Sequence, residues 1–564
     1  MSDIVRVNMS NARISREDFP QKNLLLGGRG LIAHIMNAEV PPTCDPWGAH
    51  NKLIIATGFF SGTEAVCSSR ISVGGKSPLT GGIKEANAGG VSGHMLGRLG
   101  IKAIILESQP QNKNIYVLKI SKAGAELIVA SELSGLGNYA VVDKLRAQYG
   151  KEVGILSIGT AGERRFANST VAVTDVKGRP CRHAARGGLG SVMGSKGIKA
   201  VVIDDADTSP ILLKDEGTFH EAVHEHARML REDKGLIKLV STYGIAGAVN
   251  LVNAMGALPT FNFRSGNFAG ADKISGEKMA ALREVRGGKM HACMPTCIIA
   301  CSPIFLNEKG EYITSAFEYE SPAMLGANLG IDDIDAIAEM DRLCDDFGLD
   351  TIETGGTLAV AAEAGLMNFG DSKKARALIM EMGEATLLGR ILGQGAVIAA
   401  RVLGVSRVAA VKGQAMSAHE PRVFKATGVT LATSPMGADH TAGMAFDASI
   451  TRENAIAVSR ESQIICALVD STGCCQIAYG IPGTAVPLIQ KMLNARYGFA
   501  ITKDEVFRIG MSVLKEEERF NRAAGITQAA NKLPEFFRTE SLPPTNNIFD
   551  LSEKNLQEIF SDLL

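Results

Sequence analysis

The sequence contains few aromatic residues and almost no net charge. Phe, Trp and Tyr make up 5% of its 564 residues, Trp occurs once, and the formal charge at pH 7 is −1. A chain without an excess of Lys and Arg lacks the positive surface with which proteins bind phosphate backbones, so we expect no nucleic-acid partner. The 45% of hydrophobic residues and the 61 glycines indicate instead a packed globular protein with many tight turns.

Long apolar runs are also lacking. The most apolar stretch, residues 387–405 (LLGRILGQGAVIAARVLGV), contains two Arg and a Gln, so we interpret it as a buried helix and expect no membrane span. The first residues, MSDIVRVNMSNARISRED, lack the apolar core and the cleavage site of a signal peptide. We therefore expect a cytoplasmic protein whose ten cysteines are reduced thiols or metal ligands.

The residue pattern changes near residue 208. Before it, short β-branched runs bounded by Gly, Ser, Asn or Asp predict strands at residues 53–57, 102–108, 115–120, 153–159, 170–174 and 199–204. After it, apolar residues at three- and four-residue spacing, as in 332–348, predict amphipathic helices. A second change near residue 410 rests on the irregular segment 417–440. We predict an α+β protein with a β-rich domain at 1–208 and α-helical domains at 209–410 and 411–564.

Three cysteines lie close together in the segment HACMPTCIIACSP, residues 291–303. They are spaced C-x3-C-x3-C and are Cys293, Cys297 and Cys301. Structural thiols are usually buried singly, so three clustered thiols predict metal ligation. Zinc sites prefer a C-x2-C pair with a second pair elsewhere, whereas three clustered cysteines and one distant cysteine are typical of an iron–sulfur cluster. The distant candidates are Cys474 and Cys475. We expect ordinary lone thiols at Cys44, Cys67, Cys181, Cys344 and Cys466.

One short repeat occurs in the helical part. The segments DDFGLD and DSTGCC share the form D-x-x-G-x-(D/C) and begin at Asp345 and Asp470. A glycine after a helix is the usual left-handed stop, and Asp is common in turns, so the match has an ordinary explanation. A matched pair would also suit a ligand with two similar halves, because each carboxylate accepts hydrogen bonds from an amine donor.

The segment HEAVHEH contains the zinc-protease pattern His220-Glu221-x-x-His224. Its flanks are typical of a solvated amphipathic helix, and no third ligand follows a few turns later. We expect these histidines to bind no metal, and we keep a zinc hydrolase only as a remote alternative.

Two glycine-rich loops follow arginines. Residues 187–205 (GGLGSVMGSKGIKAVVIDD) imitate a dinucleotide loop, but the preceding CRHAAR is polar and predicts no strand, and too few residues remain for a crossover helix. The glycines more plausibly let backbone amides approach an anion or a bulky cofactor. Arg182 and Arg186 precede this loop and Arg70 precedes the loop at 71–90, which suits a phosphate-bearing cofactor.

Together these motifs resemble the aldehyde ferredoxin oxidoreductase family, whose members contain tungsten or molybdenum. The resemblance runs along the whole chain and includes LLGGRGL (25–31), SSRISVGGKSPLTGGIKEANAGG (68–90), ARGGLGSVMGSKGIKAV (185–201), the cysteine cluster, FEYESPAMLGANLGI (317–331), both copies of the repeat, EERFNRAAG (517–525) and LPEFF (533–537). It implies a β-sandwich-like N-terminal domain, two α-helical domains, and a metal on two pterin dithiolenes at their interface.

The resemblance also assigns residues to the cofactors. Asp345 and Asp470 are expected to bind the two pterins. Cys475 is expected to complete a [4Fe–4S] cluster with the three clustered cysteines, and Cys474 is expected to be a spectator.

The phosphate groups of the pterins have their own expected partners. Arg70, Gly89 and Arg182 are expected to hold these phosphates. Asn87 and the backbone carbonyl of His183 are expected to face a Mg²⁺ that bridges them. All five positions lie on, or next to, the two glycine-rich loops.

Glu320 and His440 match the polar residues that the family places beside the metal, where they would move protons. The implied reaction interconverts an aldehyde and a carboxylic acid. Its electrons would pass through the cluster to a ferredoxin or an Fe–S subunit, within a homodimer or a hetero-oligomer. A cofactor-free scaffold protein is the alternative outside the enzymes.

The cysteine spacing departs from the C-x2-C-x3-C of much of the family, because Met294 occupies the second position. The resulting CMP-x-C form is similar to a branch that includes the tungsten subunit of a benzoyl-coenzyme A reductase. A low-potential aromatic-ring reductase on the same scaffold is therefore the second expectation. The motifs leave open the choice between tungsten and molybdenum, the substrate and the direction of the reaction.

Overall fold

Two six-stranded β-sheets form the first part of the chain. The computed structural model describes residues 3–481 and 483–563. The strands are β1 (Asp3–Asn8), β2 (Arg13–Asp18), β3 (Leu53–Thr57), β4 (Ile71–Lys76), β5 (Ile83–Ala88), β6 (Ile101–Glu107), β7 (Tyr116–Ser121), β8 (Gly124–Val129), β9 (Gly154–Ser157), β10 (Val171–Val173), β11 (Arg182–Ala184) and β12 (Ile198–Ile203). Their order is β2-β1-β6-β3-β4-β5 in one sheet and β11-β10-β9-β12-β7-β8 in the other.

The two sheets pack face to face. Val5 and Leu106 of the first sheet share one buried cluster with Leu118 and Val201 of the second. Helices α1 (Gly28–Glu39), α2 (Ser92–Arg98), α3 (Asn138–Tyr149), α4 (Thr160–Glu163) and α5 (Leu189–Ser195) belong to the same part of the chain. Because α1 packs on the first sheet and α3 on the second, both faces of the central strands are buried, as their continuous apolar runs require.

Helices dominate after residue 215. They are α6 (Glu216–Glu232), α7 (Leu236–Tyr243), α8 (Ala248–Ala254), α9 (Gly276–Arg286), α10 (Ile334–Phe347), α11 (Thr351–Glu363), α12 (Ser372–Glu384), α13 (Leu387–Leu392), α14 (Ala396–Leu403), α15 (Lys425–Thr433), α16 (Ala455–Thr472), α17 (Ala485–Tyr497), α18 (Lys503–Ala523), α19 (Phe536–Thr539) and α20 (Glu553–Glu558). Short strands accompany them at β13 (Met290–His291), β14 (Ser302–Leu306), β15 (Tyr312–Ser315), β16 (Ala410–Val411) and β17 (Gln414–Ala415). The predicted order, a β-sandwich-like part followed by helices, is confirmed.

Helix α6 packs across the predicted division of the helical part. Its Phe219 and Ala222 share a buried cluster with Leu488 and Met492 of α17, which follows more than 250 residues later in the chain. The hydrophobic pattern of a helix shows which face is buried but not against which partner. The domain limits at 208 and 410 stay predictions.

Three local predictions are wrong. Residues 387–405 form two helices, α13 and α14, because the chain turns at Gly395, whose φ is +88°. The segment 417–440 is not wholly irregular, since it contains the buried helix α15. The polar residues before the second glycine-rich loop form strand β11, which pairs only with β10. Strand β11 could not be read from apolar alternation, because two of its three side chains face charged or polar partners.

No single helix in the described ranges is both long and apolar enough to cross a membrane. The pair Leu236–Tyr243 and Ile245–Ala254 meets the length and composition criteria together but is bent by 110°. Its apolar side chains include the buried Ile237, Val240 and Val249.

Candidate active site

Both copies of the D-x-x-G repeat end a helix in the same way. Helices α10 and α16 stop at Gly348 and Gly473, which adopt the left-handed conformation with φ of +73° and +75°. The Gly348 carbonyl accepts a hydrogen bond from the Thr170 amide at 2.9 Å, and the Gly473 carbonyl accepts one from the Arg70 amide at 2.8 Å. Thr170 directly precedes β10 and Arg70 directly precedes β4, so each sheet holds one helix end. The two repeats therefore occupy equivalent places against the two sheets.

Asp470 lies in a buried network of charges. Its carboxylate is 3.4 Å from Arg29, which donates two further hydrogen bonds to Glu517 at 2.7 and 2.8 Å, and Gln476 donates to it at 2.9 Å. Burial raises the pKa of Asp470 to about 6, against the lowering effect of Arg29. Burial and the charge of Asp470 raise the pKa of Glu85 on β5 to about 8. The network therefore holds more carboxyl groups than its one arginine neutralises.

Asp345 has a different set of partners. Its carboxylate lies 3.0 Å from Nε2 of His183 on β11, and its backbone carbonyl accepts a hydrogen bond from Asn138 at 2.7 Å. The other ring nitrogen of His183 contacts the Thr170 hydroxyl at 2.7 Å. The second sheet thus contributes a histidine beside Asp345, whereas the direct charged partner of Asp470 is Arg29 of helix α1.

The four cysteines proposed as ligands come from two loops that a third loop joins. The clustered cysteines lie between β13 and β14, and Cys475 follows α16. Cys67 fixes both loops, because its amide donates to the Thr296 carbonyl at 2.9 Å and its carbonyl accepts from the Cys475 amide at 2.8 Å. The Thr296 hydroxyl adds a hydrogen bond to the Ser68 carbonyl at 2.9 Å. The N-terminal part of the chain therefore holds together loops that are about 180 residues apart in sequence.

The thiols of these cysteines influence one another. Hydrogen bonding to Cys297 and burial raise the pKa of Cys293 far above its usual value, against the positive charge of Arg182. Burial raises the pKa of Cys301, and the proximity of Cys293 and Cys475 adds to the shift. Burial also raises the pKa of Cys475, against the positive charge of Arg70. The four thiols are therefore neighbours in the folded chain, flanked by two arginines.

In the described structure, no three of the four cysteine sulfurs lie as close to one another as the sulfurs of a zinc site would. Four thiolates around zinc at about 2.3 Å would place neighbouring sulfurs about 3.8 Å apart. The described part of the chain has one group of three or more His, Cys, Asp or Glu residues whose ligand atoms all lie within 4.8 Å of one another. That group contains no cysteine. The four thiols are thus neighbours, yet too open for a single tetrahedral ion.

Two other cysteines lie next to the cluster. Cys474 is fully buried and its thiol contacts the Tyr479 hydroxyl at 3.5 Å. Cys67, predicted to be an ordinary lone thiol, instead contacts Cys297, and that prediction is wrong. The hydrogen bond with Cys293 lowers the pKa of Cys297, but the contact with Cys67 and burial outweigh it and raise the value to about 11. Sequence spacing gave no sign of this, because Cys67 is more than 200 residues away from its partner.

Arg70, Asn87 and Gly89 form one small unit beside the cluster. The Arg70 guanidinium donates to the Asn87 side-chain oxygen and, at 3.1 Å, to the Asn87 carbonyl. A Cβ atom added at Gly89 would lie 3.2 Å from the sulfur of Cys293 and 3.6 Å from the Arg70 guanidinium. Glycine at this position therefore leaves the space between the arginine and the cysteine loop open.

Arg182 is already paired on one side. It donates to the Glu318 carboxylate at 2.6 Å and to the Ser302 hydroxyl, while its Nε atom is buried without a hydrogen-bond partner. Glu318 and Glu320 point to different partners, since Glu320 faces the histidines described next. Glu318 thus belongs to the surroundings of Arg182.

Glu320 lies shortly before a π-helical turn at Pro322–Gly326. Its carboxylate lies close to two histidines. Its Oε1 atom lies 3.2 Å from Nδ1 of His419 and 3.5 Å from Nε2 of His440. Its Oε2 atom accepts a hydrogen bond from the Ala418 amide at 2.9 Å. This Glu–His–His set is the compact group of possible metal ligands mentioned above. His419 was missed by sequence reasoning, because it lies in the segment 417–440 that was interpreted as irregular.

The electrostatics of this group keep Glu320 ionised and His440 neutral. Burial opposes ionisation of Glu320, but His440 and His419 outweigh it and lower its pKa to about 2. Burial lowers the pKa of His440 to about 4, against the carboxylate of Glu320, which raises it. At neutral pH the site therefore presents a carboxylate and an uncharged imidazole.

Comparison with known proteins connects this geometry to a family. The family model for the N-terminal domain of aldehyde ferredoxin oxidoreductase matches residues 4–205, and the model for domains 2 and 3 matches residues 221–562. The chain belongs to the aldehyde ferredoxin oxidoreductase family. The tungsten-containing aldehyde ferredoxin oxidoreductases of Pyrococcus furiosus and Thermococcus kodakarensis are each 33% identical to it, and the alignments cover 96% of this chain and 92% of each relative. The family membership inferred from the motifs is confirmed.

One further relative and one solved structure share the scaffold. The WOR-like subunit of an aliphatic sulfonate oxidoreductase of Pyrococcus furiosus is 26% identical, over 91% of this chain and 84% of that protein. A solved active-site complex of benzoyl-coenzyme A reductase with 1,5-dienoyl-CoA has a chain that superposes with a TM-score of 0.83, at 17% identity, covering 100% of this chain and 93% of that one. This last likeness shows a shared fold.

The buried polar atoms of the site test whether the family's cofactor fits. Within the described ranges, several side-chain atoms of the site are buried without an aligned hydrogen-bond partner, and six of them belong to residues described above. They are Glu85 Oε1, Arg182 Nε, His183 Nε2, Glu320 Oε1, His419 Nδ1 and His440 Nδ1. Each such atom costs about 1–3 kcal/mol when it is left unsatisfied. Carboxylate oxygens need N–H donors and the arginines need anionic oxygens, and a pterin with a phosphate group offers both, so the residues fit such a cofactor.

The zinc-protease pattern lies elsewhere. His224 is exposed on α6, and His220 is partly exposed, with its Nε2 atom 3.2 Å from Glu64 at the surface. His226 is the buried histidine of this helix, and it packs on Tyr479 with ring centroids 4.5 Å apart. The geometry therefore gives His220 and His224 a solvated position with no third ligand atom nearby in the described ranges.

Proposed function

We propose that the protein interconverts an aldehyde and a carboxylic acid at a tungsten or molybdenum centre carried by two pterins. The tungsten-containing relatives at 33% identity support this proposal. The observation that carries it is the partly buried pair Glu320 and His440, whose facing atoms lie 3.5 Å apart next to side-chain atoms that have no hydrogen-bond partner in the described structure. Electrons would leave through a [4Fe–4S] cluster to a ferredoxin or an Fe–S partner subunit.

The cofactor would be held from both sheets and both helix ends. Asp345 and Asp470 would accept hydrogen bonds from the amine donors of the two pterins, since each sits just before a left-handed helix stop. Arg70 and Arg182 would bind the phosphates, with Gly89 leaving room for them.

A divalent cation would join the phosphate groups. Asn87 and the backbone carbonyl of His183 would face a Mg²⁺ at this point, because oxygen atoms are the ligands that Mg²⁺ prefers. In the present geometry the Asn87 oxygen contacts Arg70, so this contact would have to loosen when the cation binds.

The cluster would be bound by Cys293, Cys297, Cys301 and Cys475. Ligation requires the thiolates, and the raised pKa values of Cys293 and Cys301 mean that the protons leave when the iron binds. Arg70 and Arg182 would then balance part of the negative charge, because they already flank these thiols. The open spacing of the sulfurs suits a cluster better than a single ion.

The chain's own contribution to the reaction is the movement of protons. The bound metal centre supplies the two-electron chemistry and the oxygen exchange. Oxidation of an aldehyde with water releases two protons together with two electrons. Glu320 would take one of these protons at Oε1, and the neutral imidazole of His440 would take the other. In the reverse direction the same groups would return them.

Reduction of an aromatic ring at low potential is the second candidate function. The C-x3-C spacing with Met294 favours it, because that form is similar to the benzoyl-coenzyme A reductase branch. Met294 is fully buried, so the changed spacing alters the interior of the cysteine loop rather than its surface.

An activity assay separates the two functions. Protein purified without oxygen is tested with a panel of aliphatic and aromatic aldehydes and a viologen acceptor, and in parallel with aromatic coenzyme A thioesters and a strong reductant. We expect aldehyde-dependent viologen reduction. Activity with the thioesters alone would move the assignment to the ring reductase, and activity with neither would overturn the proposal.

A further inference from the structure

We propose that His419 is a positioning residue that fixes the orientation of the Glu320 carboxylate for proton transfer. The inference rests on the proposed function and adds one residue to it. Two consecutive residues, Ala418 and His419, each contact one oxygen of this carboxylate. The Ala418 amide donates to Oε2 at 2.9 Å, and Nδ1 of His419 lies 3.2 Å from Oε1. Rotation of the carboxylate would break both contacts at once.

The ring of His419 is itself held by aromatic neighbours. It stacks on Phe446 with ring centroids 4.3 Å apart and an angle of 20°, and on His440 at 4.9 Å and 22°. Tyr319 packs against it at 5.2 Å. The Tyr319 hydroxyl also donates to the Ala418 carbonyl at 2.6 Å, which fixes the backbone next to the histidine. A ring restrained in this way is preorganised, so it loses little entropy when it orients another group.

The position of His419 leaves the Oε1 atom of Glu320 available for proton transfer. Oε1 lies 3.2 Å from His419 and 3.5 Å from His440, and neither contact is an aligned hydrogen bond in the described structure. Oε1 is therefore within hydrogen-bonding distance of the His419 ring nitrogen, while the hydrogen bond from the Ala418 amide to Oε2 fixes the carboxylate as a whole. A misplacement of about 1 Å of a reacting group can cost on the order of 100-fold in rate, so an element that fixes this atom has a measurable effect.

The same three side chains form a donor set for a divalent cation, which is the competing explanation. Two imidazoles and a carboxylate with ligand atoms within 4.8 Å of one another resemble the ligands of zinc and iron(II) sites. The stacking of His419 on His440 and Phe446 favours the positioning role, because it restrains the rings independently of any ion.

Two substitutions distinguish the effect of the N–H donor of His419 from the effect of its stacked ring. His419→Asn keeps an N–H donor near the place of Nδ1 but removes the ring, and His419→Phe keeps a stacking ring but removes the donor. We expect His419→Phe to lower kcat about 10-fold or more with KM changed less than about 3-fold, and we expect His419→Asn to retain most of the activity. His34→Phe, at an exposed position of α1, is the control for a general effect of the exchange.

Two readouts do not depend on turnover. A crystal structure of His419→Phe should show the Glu320 carboxylate rotated away from His440, while His419→Asn should keep the native orientation. Metal analysis should show that both variants retain the tungsten or molybdenum and the iron of the parent protein. Because the crystal structures can be compared even without activity, a failure of the proposed function would not be mistaken for a failure of this inference.

Specific results would overturn the positioning role. One is a His419→Phe variant with an unmoved carboxylate and unchanged kcat. A second is a His419→Asn variant that is impaired as strongly as His419→Phe, which would show that the ring matters and the donor does not. A third is stoichiometric binding of zinc or cobalt(II) to cofactor-free protein that is lost in His419→Phe, which would make His419 a metal ligand.

Discussion

Replacing Glu320 by Gln tests whether this carboxylate accepts a proton during the reaction. The substitution keeps the size of the side chain and one oxygen for the Ala418 amide, which now donates to Oε2 at 2.9 Å. It removes the negative charge that faces His419 and His440. The site then has a polar group of the same shape that cannot accept a proton at neutral pH.

The size of the effect follows from the surroundings of Glu320. A positioned acid–base group contributes typically about 10²–10⁴-fold in rate. Loss of the carboxylate should also lower the pKa of His440, because the charge of Glu320 is what raises it against burial. Both proton acceptors would thus be weakened by one substitution, and we expect turnover to fall at least about 100-fold, or about 3 kcal/mol in the barrier.

The assay compares metal content and turnover in the same preparation. Glu320→Gln should retain the full tungsten or molybdenum and iron, because no contact of Glu320 reaches the cysteines or the phosphate-binding arginines. Glu308→Gln is the matched control, since that side chain is 88% exposed. Glu318→Gln is unsuitable as a mild control, because Glu318 pairs with Arg182 at 2.6 Å. Full metal content with turnover near that of the parent protein would remove Glu320 from the mechanism.

Four further variants test the rest of the site. Cys475→Ser should strip or convert the cluster, while Cys474→Ser should leave the iron content and the cluster spectrum unchanged, since the Cys474 thiol contacts Tyr479 instead. Replacing His220 and His224 together by Ala should leave metal content and activity intact, because both lie on the solvent-facing side of α6. Gly89→Ala should reduce the cluster or pterin content, because the added Cβ would lie 3.2 Å from the first cysteine of the cluster sequence.

Each of these has a control and a contradicting result. Gly217→Ala adds the same methyl group on α6, where its closest contact would be 3.7 Å, and it should be neutral. Full iron and pterin content in Gly89→Ala would mean that the space beside Gly89 is not used. A cluster that responds to Cys474 and ignores Cys475 would reverse the ligand assignment. Zinc that is lost together with an activity in the double histidine variant would restore the hydrolase.

The sequence predicted the strands, helix ends and clustered thiols that depend on residues close together along the chain. The β-branched runs became strands within one or two residues of the expected limits, as at Leu53–Thr57 and Tyr116–Ser121. Both D-x-x-G segments became helix ends, because a glycine with positive φ terminates a helix wherever it occurs. The cysteine spacing predicted a gathered set of thiols, and the fold brings them together with Cys475.

The sequence could not predict what depends on partners that are distant along the chain. Cys67 had no neighbouring thiol in sequence, yet it contacts Cys297 through the loop that joins the two parts of the protein. Strand β11 is polar because its side chains meet charged groups of the site, so apolar alternation could not reveal it. The role of His419 follows only from the fold, in which residues 418 and 419 contact the two carboxylate oxygens of Glu320.

Elemental analysis of protein purified without oxygen tests the central claim most directly. The account predicts one tungsten or molybdenum atom and four iron atoms per chain, with the iron content lowered in Cys475→Ser and the tungsten or molybdenum retained in Glu320→Gln. Protein that is fully folded and carries no tungsten, molybdenum or iron after expression with an adequate supply of these metals would contradict it.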